Sequence, residues 1–107
     1  MKVLLTGAFG NVGLSTLKEL INKNYEVRVF DIKNKRNNRT AKKFKGQIEI
    51  IWGDLRNPED VEMGVYGCDV IIHVAAIIPP LADKKPKFAE AINVGGTSNI
   101  IETMKKQ

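Results

Sequence analysis

Met1-Lys2-Val3-Leu4-Leu5-Thr6-Gly7-Ala8-Phe9-Gly10-Asn11-Val12-Gly13 opens the chain and decides how the rest is read. Residues 1–6 form a short apolar run, and Gly7, Gly10 and Gly13 follow three apart. Leu14, Leu17, Leu20 and Ile21 then recur at helical spacing. The stretch predicts a buried strand, a glycine turn and an amphipathic helix. Phosphate binding gives each glycine a physical reason. The first lets the chain turn sharply, the second lets bare backbone approach a pyrophosphate, and the third lets the helix pack close to its strand. The helix start adds unpaired N–H groups and the positive end of its dipole. The spacing is G-x-x-G-x-x-G, which a tight turn with no ligand could also use. The strand before it and the helix after it favour a dinucleotide loop.

The 107 residues amount to one domain with a modest core, and no repeat, linker or second domain is visible. No cationic leader precedes the first strand, and the longest apolar stretch, residues 70–82, is too short to span a bilayer. The single Cys68 permits no internal disulfide and fits a reducing cytoplasm, where its thiol reads as a small buried hydrophobe. The formal charge of +5 is local: seven of the 17 basic side chains lie in residues 33–45, which hold none of the 12 acids. Such a run can bind nucleic acid or an acidic ligand. Only Phe44 interleaves with it as an aromatic, so a solvated face is the reading taken, with neither nucleic acid nor membrane as partner.

In order, the first helix should start near Asn11 and close around residues 22–24, where asparagines suit a left-handed cap. Residues 25–30 read as a second strand ending at Asp31, and residues 33–45 as a loop with at most a short helix. A third strand spans residues 47–52 and closes with Gly53-Asp54-Leu55. Asn57-Pro58-Glu59-Asp60 is a helix start that stops at Gly67. Residues 69–74 form a fourth strand, followed by Ala75, Ala76 and a loop with Pro79-Pro80. Residues 87–106 are helical in pattern, with Gly95 and Gly96 in the middle at about 1 kcal/mol each relative to alanine. Either close approach of this helix to the sheet or a ligand offsets that cost, or the segment breaks into two shorter helices. The alternation is that of a doubly wound α/β unit with a parallel sheet in the order 3-2-1-4.

In this topology ligands lie across the carboxyl ends of the strands. Asp31, with Ile32 beside it, ends the second strand eighteen residues after Gly13, near the spacing of an acid that accepts from the ribose hydroxyls. A carboxylate there repels the 2′-phosphate of NADP by on the order of 4 kcal/mol at about 4 Å and an effective dielectric of about 20. The neighbouring Lys33, Lys35 and Arg36 return only about 0–1 kcal/mol as exposed pairs. NAD is therefore favoured over NADP.

Five motifs, taken together, resemble the extended short-chain dehydrogenase/reductases, specifically the NAD-dependent epimerase/dehydratases. They are residues 6–13, Asp31, Gly53-Asp54-Leu55, the run Cys68-Asp69-Val70-Ile71-Ile72-His73-Val74-Ala75-Ala76, and Asn93-Val94-Gly95-Gly96-Thr97. The resemblance implies a Rossmann-type fold and a cofactor site built from Gly7, Gly10, Asn11, Val12, Gly13, Asp31, Ile32, Asp54, Leu55, Ala75, Ala76 and Asn93. It implies that the amides around Asn11 and Val12 hold the pyrophosphate. Asp54 and Leu55 would meet the adenine, and Ala75 and Ala76 the adenosine and ribose. Asn93 looks like the family asparagine near the nicotinamide. Bland readings stand beside these: Asp54 as a strand-end turn residue, and Asn93 as a hydrogen-bond partner of core backbone. His73, inside an apolar strand, reads as a core histidine rather than a base.

Family chemistry needs a tyrosine with a lysine four residues later. The chain has only Tyr25 and Tyr66, followed at that distance by Val29 and Val70, so no catalytic residue is assigned. The fourth strand is apolar on both faces, as in a strand inside a larger sheet. These points identify residues 1–107 as the amino-terminal part of one NAD(P)-binding Rossmann domain. It would belong to a cytoplasmic nucleotide-sugar epimerase, dehydratase or related reductase, inactive on its own and associating with another copy. A non-catalytic NAD(P)-sensing regulator with the same loop is the alternative.

Overall fold

β1 (Lys2–Thr6) is the inner strand on which the others assemble. β2 (Glu26–Asp31) lies on one side of it and β4 (Val70–His73) on the other, with β3 (Glu49–Trp52) beyond β2; all pairs are parallel. The order β3-β2-β1-β4 is the one that right-handed crossovers require. The computed structural model describes residues 1–75 and 84–106, apart from the side chains of Phe88 and Ala89. Ala76 and the Pro79-Pro80 loop therefore lie outside the described residues.

Alternation along the strands divides the core into two layers. Leu5, Val27 and Val29 pack with Leu17 of α1 (Asn11–Asn22), Ala41 of α2 (Lys35–Lys42) and Phe44. Leu4 and Phe30 face the other way, against Val61 and Val65 of α3 (Pro58–Val65) and Ile100 further on. Each such burial stabilises by about 1.5–3 kcal/mol relative to exposure. The sheet is thus covered on both faces, as parallel sheets require.

The helix ends follow local chemistry. Asn24 takes a left-handed φ of 64° just after α1. The Asn57 side chain accepts from the Glu59 N–H at 3.0 Å and Pro58 follows at the first position, starting α3. The basic stretch does contain a short helix, α2, because the Asn34 side chain accepts from the Asn37 N–H at 2.7 Å and caps it. Arg28 is the exception to the apolar pattern of β2. It is buried, with Nε 2.6 Å from Glu49 Oε1 and Nη1 donating to the carbonyls of Gly64 and Tyr66 at the end of α3. One guanidinium thereby satisfies carbonyls that the helix itself leaves unpaired.

The last segment runs as α4 (Pro86–Glu90), a π-helical turn (Ala91–Gly96) and α5 (Thr97–Lys105). It does not break in two: the residues flanking the wide turn, Glu90 and Thr97, keep right-handed helical angles. The two glycines also separate. A Cβ on Gly96 would stand 2.8 Å from the Leu55 Cβ, whereas one on Gly95 would meet nothing within 4 Å. Close approach to Leu55 accounts for Gly96 only. β4, like β3, is an edge strand of the described sheet, and Val70 is 37% exposed.

Candidate functional site

A cleft of about 610 Å³ opens across the carboxyl ends of β1, β2 and β3. Its floor is the glycine turn. Gly7 has a φ of 69°, and a Cβ there would lie 2.7 Å from the Ala75 backbone. A Cβ on Gly13 would lie 1.9 Å from the Gly7 carbonyl oxygen, so α1 rests directly on the end of β1. Packing alone demands these two glycines.

Gly10 is different. Its φ of −82° and ψ of 176° suit any residue, and a Cβ would meet only the Gly7 oxygen, at 3.7 Å. Among the described residues nothing requires glycine there, and the space it leaves opens on the cleft. Gly10 caps α1 without any side-chain hydrogen bond, and the first turn of α1 holds no acid. The N–H groups of Asn11, Val12 and Gly13 therefore lack helical acceptors, next to the positive end of the dipole. All three residues line the cleft, and Val12 is exposed.

Asp31 stands on the rim, half-buried. Its Oδ2 accepts from the Phe9 N–H at 3.1 Å and its Oδ1 from the Ile32 N–H at 2.8 Å. Burial pushes its carboxyl pKa up, and the two backbone N–H groups oppose that shift without cancelling it. Each oxygen keeps a second lone pair for a ligand hydroxyl. Asp54 and Leu55 also line the cleft. The Asp54 carboxylate is engaged by Arg56, with Oδ2 2.6 Å from Nη2 and Oδ1 accepting the Arg56 N–H at 2.8 Å. The Arg56 guanidinium holds its pKa below the usual carboxylate value. Leu55 is buried, and its carbonyl accepts from the Asn99 side chain at 2.8 Å.

Of the remaining residues expected at the site, Ile32 and Ala75 line the cleft. Ala76 falls outside the described residues. Asn93 is half-buried and stands off the lining, to which its neighbour Ile92 contributes; its carbonyl accepts from Thr97 Oγ1 at 2.7 Å. Asn34 and Asn37, among other lining residues, lie outside the site expected from sequence, and Arg36, read there only as an exposed cation beside Asp31, lines the cleft as well. Asn37 is buried, and its side chain donates to the Ile32 carbonyl at 2.8 Å, fixing the rim behind Asp31. The Asn34-x-x-Asn37 spacing directly after Asp31 was the available signal. Cys68 is half-buried, with its thiol pKa raised by that burial, consistent with an apolar role. Among the described residues no cluster of His, Cys, Asp or Glu could hold a metal ion, and no helix is long and apolar enough to cross a membrane.

Fold and cleft together define a Rossmann-type α/β unit. The chain belongs to the 3-beta hydroxysteroid dehydrogenase/isomerase family, whose pattern matches residues 4–107. It is 32% identical to a 3-beta-hydroxysteroid dehydrogenase of Mycolicibacterium neoaurum, over 94% of this chain and 27% of that protein. Among solved structures, Pen from Bacillus thuringiensis superposes with a TM-score of 0.87 at 28% identity, covering 95% of this chain and 32% of Pen. The UDP-glucose 4-epimerase of Thermus thermophilus, solved in complex with NAD, gives a TM-score of 0.83 at 26% identity, covering 99% of this chain and 34% of the epimerase. The chain thus spans about a quarter to a third of these relatives. The resemblance to extended short-chain dehydrogenase/reductases read from its motifs holds.

Proposed function

We propose that the cleft binds NAD, and that the chain is the cofactor-binding part of an enzyme that oxidises a secondary alcohol by hydride transfer. The observation that carries this reading is Gly10, a glycine that no described neighbour requires, set at the start of a helix whose first three residues line the cleft. When bound, the nicotinamide supplies the hydride acceptor. The protein's part is to hold it. Asn11, Val12 and Gly13 offer N–H groups to the pyrophosphate, Asp31 accepts from the ribose hydroxyls, and Leu55 and Ala75 wall the adenosine half. Asn93 serves the nicotinamide half through the longer enzyme.

Asp31 favours NAD over NADP, although Arg36 also lines the cleft and tempers the preference. Family membership and the relative from Mycolicibacterium favour a hydroxysteroid-type alcohol. The nucleotide-sugar substrate expected from the motifs is supported by the structural similarity to the epimerase. No Tyr-x-x-x-Lys occurs in the chain, so it binds the cofactor without turning over substrate. Pairing of the β4 edge with a second copy belongs to the same reading, as does a cytoplasmic setting without nucleic-acid or membrane partners.

Calorimetric titration of the chain with NAD and with NADP tests the proposal. Saturable binding of NAD, tighter than NADP, is the expected result; heat changes no larger than dilution for both would contradict it.

A further inference from the structure

His73 is the chain's single histidine, and both of its ring nitrogens are engaged. Nδ1 lies 2.5 Å from Thr6 Oγ1 and Nε2 lies 3.0 Å from Thr97 Oγ1. What else the hydroxyls touch sets the direction of each bond. Thr97 Oγ1 is 2.7 Å from the Asn93 carbonyl oxygen, which can only accept, so the hydroxyl's one proton is taken there. Nε2 is then the donor toward Thr97. Thr6 Oγ1 accepts the N–H groups of Val74 at 3.1 Å, shared with the Thr6 carbonyl at 3.2 Å, and of Ala75 at 3.3 Å, filling its lone pairs, so its proton goes to Nδ1. Arguments from two separate elements assign the same tautomer.

The chain of bonds joins two parts of the cleft wall. At one end is Ala75, which lines the cleft and lies against Gly7. At the other is the π-helical turn, where Ile92 lines the cleft. The Thr97 N–H bonds to the Val94 carbonyl, and the Thr97 hydroxyl supplies the bond to the Asn93 carbonyl. The imidazole is thus the link between this wide turn and the carboxyl ends of β1 and β4.

We propose that His73 is a positioning residue which, with its proton on Nε2, latches the π-helical turn at Asn93 to the exit of β4 and so sets both walls of the dinucleotide cleft. Its effect on binding rests on the NAD reading; the tautomer does not. A second proton, on Nδ1, would need Thr6 Oγ1 to accept a third donor, so a bond to Val74 or Ala75 would be lost. Among the described residues, the groups bonded to the ring are the Thr6 hydroxyl from β1 and the Thr97 hydroxyl from α5. Burial lowers the imidazole pKa from its ordinary 6.5. The latch therefore holds down to the lowered pKa of the folded state and weakens as pH falls through it.

The test combines imidazole ¹⁵N spectroscopy of the whole chain with NAD titrations of wild type, Thr97→Val and Thr97→Ser, at about pH 7.5, above the ordinary imidazole value, and at a lower pH at which the ¹⁵N spectrum shows the wild-type ring protonated. The expected spectrum shows the Nε2–H tautomer at the higher pH. There, Thr97→Val binds NAD about 3- to 10-fold more weakly and Thr97→Ser recovers, the range expected for one lost hydrogen bond. Wild type loses affinity at the lower pH by more than Thr97→Val does. An Nδ1–H tautomer, or equal affinities and equal pH dependence in wild type and Thr97→Val, would overturn the proposal. Failure of wild type to bind NAD at either pH would instead remove the cofactor reading. The tautomer, with a shift of the Ala75 amide resonance in Thr97→Val, then decides the latch: both support it, and the lack of either refutes it.

Discussion

Asp31 Oδ2 accepts the Phe9 N–H at 3.1 Å, tying the end of β2 to the glycine turn that follows β1. The carboxylate is a strut of the cleft as well as a candidate ligand group. Its two roles differ in their pH dependence.

Asp31→Ala should weaken NAD binding by about 10- to 100-fold, the range for losing charge-assisted hydrogen bonds, and narrow the preference over NADP. Burial raises the folded-state pKa above the ordinary 3.8, so Asp31 contributes most to stability below that value and less as pH rises through its folded pKa. Thermal unfolding of wild type and Asp31→Ala across the acid range checks this. The stability gap between them should shrink as pH rises from about 4, near the ordinary Asp pKa. A gap that widens would contradict the assignment.

Arg28 holds the end of α3 from within the sheet. Arg28→Ala leaves those carbonyls unpaired and should cost about 2–4 kcal/mol. Glu49 is half-exposed, and Glu49→Gln should cost only about 0–1 kcal/mol. The Arg28 and Lys2 hydrogen bonds hold the Glu49 pKa below its ordinary 4.5, so its contribution is present above that value and fades as pH falls through the folded pKa. Urea unfolding of both variants at neutral and acid pH reads all three expectations; equal losses at neutral pH would refute the division of roles.

Gly95 and Gly96 should respond oppositely to the same change. Gly95→Ala adds a methyl in open space within a helical segment and should stabilise by about 0.5–1 kcal/mol. Gly96→Ala drives a Cβ into Leu55 and should destabilise by about 1–3 kcal/mol. Denaturation midpoints of the two variants would show opposite shifts, and shifts of the same sign would contradict the packing described.

Local pattern carried much of this structure. The glycine triplet, the Asn57-Pro58 helix start and the Asn24 cap depend on near neighbours in sequence, so their geometry could be read without the fold. The strand order follows from handedness once four strands alternate with crossovers. The π-helical turn was not legible, because Gly96 is set by Leu55, some forty residues earlier. The same holds for His73: its apolar strand marked it as a core residue, but its partners come from β1 and α5. Asn34 and Asn37 were hidden in a basic run without periodicity, where only the cap at Asn34 distinguishes cleft from solvent.

The central claim is that a pyrophosphate occupies the space Gly10 leaves open. Gly10→Ala tests it most directly, because the backbone there suits alanine and, among the described residues other than its chain neighbours, the added methyl meets no atom closer than 3.7 Å. The variant should keep the circular dichroism of wild type and lose at most about 1 kcal/mol of stability from a poorer helix cap, while its NAD affinity falls at least about 10-fold as the methyl displaces the phosphate. Wild-type NAD affinity in a folded Gly10→Ala would contradict the account.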